Sequence, residues 1–338
     1  MESSFQKMEA AIRAYKGQAI KLMEVCGTHT YQIAHLGIQA LLPDSVQLVS
    51  GPGCPVCVTP AGYIDRLAQL SMQPDTTVFS FGDMIRVPGN EYRLDGSIKI
   101  MYSPMDVLPL AKAEPNRQFV VAAVGFETTL PLYALLVEAL MKQGIRNVRL
   151  LMAAKRILPA LGWLNANQPD IQGFLGPGHV SAILGYGVYE KTKVPLAVAG
   201  FSYEHLVAAI YDLLRQIERG TKEAHNLYPG VVTRQGNEKA LKLIDTYFEK
   251  QSSVWRGLGE ILESGYGLKK EFSAFDAGTF DTASREPAGC RCKDVITGRC
   301  LPTECKLFGT FCAPQNPVGP CMVSQEGSCG IFYQTGRD

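Results

Sequence analysis

The sequence predicts an α/β protein: two similar α/β domains, each built on a parallel sheet and together flanking a cleft, followed by a cysteine-rich C-terminal domain. Three features lead there. Short apolar, β-prone runs alternate with amphipathic segments over residues 20–220, as when crossover helices bury strands on both faces. Glycine-rich segments recur in the same order in both halves of that region. Seven of the ten cysteines fall between Cys290 and Cys329, in a tail whose few apolar runs call for a staple other than a hydrophobic core.

Ile20–Val25, Val46–Val49, Thr77–Phe81, Lys99–Met101, Phe119–Val124, Val148–Met152 and Leu196–Ala199 read as strands, with helices between several of them. The first half has a strand ending in Val25-Cys26-Gly27-Thr28-His29-Thr30, then Gly51-Pro52-Gly53 before Cys54. The second has a strand ending in Val124-Gly125-Phe126-Glu127-Thr128, then Gly176-Pro177-Gly178 before His179. The shared order points to an internal duplication. Against it stand unequal spacings, 24 residues from Gly27 to Gly51 but 51 from Gly125 to Gly176, and the fact that Gly-Pro-Gly is also common turn chemistry. The domains are expected over 20–115, 116–222 and 223–338, with an N-terminal helix over 1–19 available to pack on the third. Loops that follow parallel strands gather at the carboxyl edge of the sheet. Cys26, His29 and Cys54 should therefore converge, with Glu127 and His179 facing them across the cleft. Beyond residue 222, a helical stretch around Asn237–Lys250 precedes a glycine-rich segment from Gly257 to Gly278.

The 338 residues are 46% hydrophobic and 19% charged, enough for a substantial core. A formal net charge of +1 without long Lys/Arg runs argues against electrostatic binding to a nucleic acid or an anionic membrane. The first residues lack the features of a secretory signal, and no apolar stretch is long enough to span a bilayer, so a cytoplasmic location is expected. Thiols stay reduced there, and ten cysteines then point to metal ligation or redox work rather than structural disulfides. No Walker or Rossmann glycine pattern supports nucleotide binding.

Gly51-Pro52-Gly53-Cys54-Pro55-Val56-Cys57 places two thiols three positions apart at a helix start, with Pro55 suited to the first helical position. Free backbone N–H groups and the positive helix end favour a Cys54 thiolate. The pair is equipped to bind a soft metal, to attack a ligand donor or to cycle between dithiol and disulfide. Cys26 stands at a strand end, three residues before His29, which has the chemistry of a ligand, base or proton donor. Glu127 follows an apolar strand, where desolvation would raise its pKa into a useful acid–base range; a carboxylate at a helix start is the alternative. His179 sits in a loop expected to line the cleft. In the tail, Cys290, Cys305, Cys312 and Cys329 are separated by 14, 6 and 16 residues, with Cys292, Cys300 and Cys321 in addition, and no histidine follows His225. Four thiolates suit a structural zinc or a [4Fe–4S] cluster, and spacing without paired Cys-x-x-Cys knuckles favours the cluster.

Cys26-Gly27-Thr28-His29-Thr30, Gly51-Pro52-Gly53-Cys54-Pro55-Val56-Cys57, Gly125-Phe126-Glu127-Thr128-Thr129, Gly176-Pro177-Gly178-His179-Val180-Ser181 and Pro317-Val318-Gly319-Pro320-Cys321-Met322-Val323-Ser324 together resemble the HypD family of [NiFe]-hydrogenase maturation proteins. The resemblance runs from about residue 20 to the C-terminus. It implies a scaffold that works with HypC to assemble the Fe(CN)2CO unit, receiving cyanide from HypE. It implies that Cys26, Cys54 and Cys57 serve iron binding or ligand transfer, and that Cys290, Cys305, Cys312 and Cys329 hold a [4Fe–4S] cluster. Two departures stand out: Cys300 is an extra thiol, and Tyr31 follows Thr30 where a second histidine would be expected. The expected form is a monomer that pairs with HypC. A cluster-linked thiol–disulfide oxidoreductase is the rival reading, and a zinc-stabilised binding protein a third.

Overall fold

The computed structural model describes residues 4–94 and 96–336, so residues 1–3 of the expected N-terminal helix lie outside it. After α1 (Ser4–Arg13), β1 (Ile20–Glu24) and β2 (Val46–Ser50) pair in parallel, joined across α2 (Gly27–His35). A one-turn α3 (Pro55–Val58) and then α4 (Ala61–Ser71) lead out of this first sheet. The chain next builds a second sheet from β3 (Thr76–Ser80), β4 (Lys99–Ile100), β5 (Gln118–Gly125) and β6 (Val148–Ala154). Its helices are α5 (Gly82–Ile85), α6 (Val107–Ala113) and α7 (Leu130–Gln143). Its strand order is β4-β3-β5-β6, all parallel. α8 (Ile157–Asn167) brings the chain back to the first sheet, where β7 (Ile171–Pro177) docks beside β1. α9 (Gly178–Leu184), β8 (Leu196–Ala199), α10 (Tyr203–Arg219) and β9 (Ala224–Asn226) complete it in the order β2-β1-β7-β8-β9.

The α/β class with two parallel sheets is as the sequence predicts, and the near-continuous burial of β5 and β7 is the reason. Sheet membership is a different matter. Residues 20–50 and 171–226 build one sheet and residues 76–154 the other, which cuts across the expected blocks 20–115 and 116–222. Both Gly-Pro-Gly segments, one in the loop after β2 and the other at the junction of β7 and α9, belong to the first sheet, so the duplication read from them does not map onto the two sheets. β7 itself was not among the expected strands, because Gly173 and Gly176 interrupt its apolar run. The glycine answers to packing: a Cβ on Gly173 would lie 3.1 Å from Leu22 and 3.3 Å from Leu213.

α10 starts at Ser202, whose hydroxyl accepts from the His205 N–H at 3.3 Å, and stops at Gly220 with φ 69°. Its apolar face, with Leu206, Ile210 and Leu213, covers the first sheet. α1 packs on α10, through Phe5 against Tyr203 at 5.8 Å and a 2.7 Å hydrogen bond from the Tyr203 hydroxyl to Glu9. It therefore serves the first sheet, not the C-terminal domain.

Downstream, α11 (Glu238–Tyr247) is capped by Asn237. It gives way to an antiparallel hairpin of β10 (Phe248–Trp255) and β11 (Gly259–Leu268), a pair the sequence showed only as glycine-rich. An extended strap over residues 276–289 leads to α12 (Cys292–Ile296), the cysteine-rich loops and α13 (Ser328–Thr335). One apolar core includes Val25, Cys57, Phe126, Trp255 and Cys321, so the carboxyl edges of both sheets and the cysteine-rich tail share a single interior. Among the described residues no helix is long and apolar enough to cross a membrane.

Candidate functional site

Cys26, Cys54 and their loops meet at the carboxyl edge of the first sheet, as expected. The glycine of the second loop makes this possible, since a Cβ on Gly53 would fall 2.6 Å from the Cys26 Cα. Cys54 is the N-cap of α3, with Pro55 in the first helical turn. Its sulfur accepts the Cys57 N–H at 3.3 Å. Cys26 stands at the N-cap position of α2 without a side-chain cap hydrogen bond, and burial pushes its thiol up to about 11.

His29 is fully buried, and its Nε2 lies 3.2 Å and 3.1 Å from the carbonyl oxygens of Ala199 and Gly200. A ring nitrogen between two acceptors carries the proton, which leaves Nδ1 with a lone pair. No hydrogen-bond partner for Nδ1 is present among the described residues. Burial lowers the pKa to about 4. The ring is therefore held neutral, with Nδ1 left to accept a hydrogen bond or ligate.

His179 departs from the expectation. It lies in the first turn of α9 instead of a loop, and because β7 lies beside β1 it stands at the edge of the same sheet as Cys26 and not across a cleft. The His179 ring stacks on Phe201 at 4.1 Å, and Phe201 also meets His29 at 5.0 Å. Two of the five histidines thus touch one aromatic ring at the edge that carries Cys26.

Glu127 lies at the end of β5 in the second sheet, 1% exposed, with its carboxylate accepting the Ile157 N–H at 3.1 Å. It caps α8, the helix after the next strand, instead of the α7 that follows it in sequence. Burial pushes its carboxyl up to about 7. The folded chain therefore holds this proton through a range in which the unfolded chain, near 4.5, has released it. The extra stability is complete below pH 4.5 and fades as pH rises through 7, a change of roughly 3 kcal/mol. Glu127→Gln should remove that slope from urea denaturation between pH 4.5 and 8; an unchanged slope would assign the titration elsewhere.

Sequence reasoning missed Lys155, which follows β6 and is fully buried. Its Nζ donates to the Ser253 hydroxyl at 2.6 Å and the Val254 carbonyl at 2.7 Å, 5.9 Å from the Trp255 ring centroid. Burial lowers its pKa to about 7. The amine pins the β10–β11 hairpin to the second sheet, and the next residue along, Arg256, gives its backbone N–H to Val58 at the end of α3. A lone lysine at a strand end offers no spacing pattern to read. Lys155→Ala leaves a cavity and an orphaned carbonyl, and should cost roughly 3–5 kcal/mol in urea denaturation; a loss under about 1 kcal/mol would deny the pin.

In the tail, Cys290, Cys305, Cys312 and Cys329 line one cavity with Cys292, closed by Leu307, Phe308 and Met322. The Val318 N–H reaches the Cys312 sulfur at 3.4 Å. A Cβ on Gly319 would lie 2.6 Å from the Cys292 sulfur and 2.7 Å from that of Cys290. Among the described residues no three His, Cys, Asp or Glu side chains are grouped to hold a single metal ion, and a tetrahedral zinc would need its sulfurs about 3.8 Å apart. Thiolates around an apolar cavity, with an N–H aimed at sulfur and a glycine opening the wall, fit a metal cluster. Cys300 is not among the lining residues.

The two thiol groups touch. The Cys57 thiol donates to the Pro320 carbonyl at 3.9 Å and has the Cys321 side chain as its neighbour in the tail. Cys321 in turn neighbours Cys292 and Cys329, and Cys292 neighbours Cys290. All ten cysteines are free thiols, and five of them form a continuous sulfur path from α3 to the cavity. Burial raises the Cys57 thiol well above its ordinary range.

A family model described as "HypD: Hydrogenase formation hypA family" matches residues 3–336. The chain is 38% identical to the hydrogenase maturation factor HypD of Rhizobium leguminosarum bv. viciae, across 93% of this chain and 88% of that protein. It is 39% identical to the HypD of Azotobacter vinelandii, with coverage of 94% and 89%. To that of Cupriavidus necator it is 38% identical, with coverage of 98% and 94%.

Proposed function

The chain belongs to the HypD family of hydrogenase-formation proteins, and on that premise we propose that it is the scaffold on which the Fe(CN)2CO unit of a [NiFe]-hydrogenase is assembled. The observation that carries the reading is the contact of Cys57 with Cys321, which joins the Cys26/Cys54/Cys57 edge to the thiol-lined cavity. Iron is the cargo, held by Cys54, Cys57 and a cysteine of HypC, with cyanide arriving from HypE. Soft thiolates suit an iron carrying strong-field ligands. Cys26 assists ligand transfer, and His29, a neutral ring with a free Nδ1, orients the incoming group by accepting a hydrogen bond, with His179 stacked on Phe201. Glu127 supports α8 and stands back from the chemistry. The work takes place in the cytoplasm.

Cys290, Cys305, Cys312 and Cys329 would hold a [4Fe–4S] cluster, which supplies single electrons when bound. The protein thiols handle the two-electron step. The Cys321 thiolate attacks Cys57 of an oxidised Cys54–Cys57 pair, forming a Cys321–Cys57 bond and releasing Cys54 as thiolate. Cys292 then attacks Cys321, forming a Cys292–Cys321 disulfide and releasing Cys57. Two electrons pass to the Cys54/Cys57 pair, and the protons leaving Cys321 and Cys292 balance those taken up there.

The test is anaerobic purification, alone and with co-expressed HypC, with iron and sulfide quantitation and infrared spectroscopy in the metal-bound CO and cyanide stretching region. CO and cyanide bands together with about four cluster irons per chain support the scaffold. Cluster iron without those bands, even with HypC, would move the reading to a cluster-linked thiol–disulfide oxidoreductase, which the same sulfur path would serve.

A further inference from the structure

We infer that Asp83 and Ser324 are positioning residues that hold Cys321 in register with Cys57, an inference that rests on the thiol-transfer reading above. Asp83 lies in α5, at the carboxyl edge of the second sheet. Ser324 belongs to the tail, three residues after Cys321, and is 3% exposed. Its hydroxyl donates to Asp83 Oδ2 at 2.8 Å and accepts the Glu326 N–H at 3.1 Å, so both of its hydrogen-bonding directions are fixed. The Gly327 N–H returns to the Ser324 carbonyl at 3.0 Å and closes the turn.

This turn presses on three places at once. Gly327 lies so close to the Cys321 carbonyl that a Cβ there would collide with it. Gly27, next to Cys26, is packed as closely against the Glu326 backbone, and the Thr28 hydroxyl reaches the Glu326 carboxylate at 3.4 Å. Just upstream, Pro320 receives the Cys57 thiol. A charge-assisted bond to a buried hydroxyl is strong and directional. It ties residues 320–329, which carry Cys321 and Cys329, to the second sheet, while Cys57 is held by α3 of the first region. Without Asp83, the turn keeps its seat against Gly27 but loses the contact that sets its distance from α3.

The experiment uses the full chain with Cys54→Ser and Cys292→Ser, which leaves Cys57 and Cys329 as the thiols next to Cys321, and peptide mapping distinguishes a Cys57–Cys321 from a Cys321–Cys329 disulfide. Diamide takes two electrons and two protons from Cys57 and Cys321 to form the Cys57–Cys321 disulfide and is itself reduced to the hydrazine; the mapping follows the rate. Adding Asp83→Ala or Ser324→Ala should slow formation about tenfold or more, as expected when two reacting groups lose alignment. Ser324→Thr, which keeps the hydroxyl, should restore it. Cluster absorbance is measured alongside, to show that each variant is folded. Equal rates with and without Asp83 overturn the positioning role alone. Failure of the parent chain to form the disulfide at all overturns the thiol-transfer reading beneath it.

Discussion

Cys57→Ala is expected to abolish hydrogenase maturation while leaving the visible absorbance of the tail cluster in place. The substitution removes the thiol next to Cys321, so on the proposed reading the cargo site loses a ligand and the sulfur path loses its first step. Activity should fall at least about a thousandfold, as when a reacting group acting as part of a unit is deleted. The fold should barely respond. The lost atom is one small buried group, costing about 1 kcal/mol, and Cys57 is not among the residues lining the cluster cavity. Assaying hydrogenase in cells that carry the variant, beside the spectrum of the purified chain, checks both halves. Loss of the chromophore would mean that the two thiol groups cannot be separated.

Gly319→Val should produce the opposite pattern, a chain that keeps its Cys54/Cys57 pair and loses its cluster. Gly319 has φ −115° and ψ 161°, backbone that any residue adopts. The requirement is space, since the first side-chain carbon would fall inside contact distance of the Cys290 and Cys292 sulfurs. Iron should drop from about four per chain to fewer than about one. With its staple gone, the tail should become sensitive to protease under conditions where the parent resists. Retention of four irons would place the cluster elsewhere.

Much of this was legible in the sequence, and what was not shares a physical cause. Continuous apolar runs such as Phe119–Val124 identify buried strands whatever their neighbours are, and the cysteines declare a thiolate site because no histidine follows His225. Which sheet a strand joins is a tertiary choice. Nothing local in Ile171–Pro177 says that it pairs with Ile20–Glu24 and not with Val148–Ala154, so the sequence alone sets His179 across a cleft from Cys26 where the structure has both on one sheet. The antiparallel hairpin hid in a glycine-rich stretch because Gly265 and Gly267 pack against Ser253 and Gln251 of the partner strand. Lys155, Asp83 and Ser324 belong to no spacing pattern and matter through what lies opposite them.

The return of the chain to its first sheet also orders events in time. β1 and β2 emerge early, yet the carbonyls that hold His29 belong to Ala199 and Gly200, and β1 has only one neighbour until β7 arrives about 120 residues later. During synthesis the second sheet is complete before the first can close, and such long-range pairing is intrinsically slow. The Cys-x-x-Cys segment therefore leaves the ribosome well before it has a pocket, and its two thiols stay open to solvent until β7 and β8 have docked.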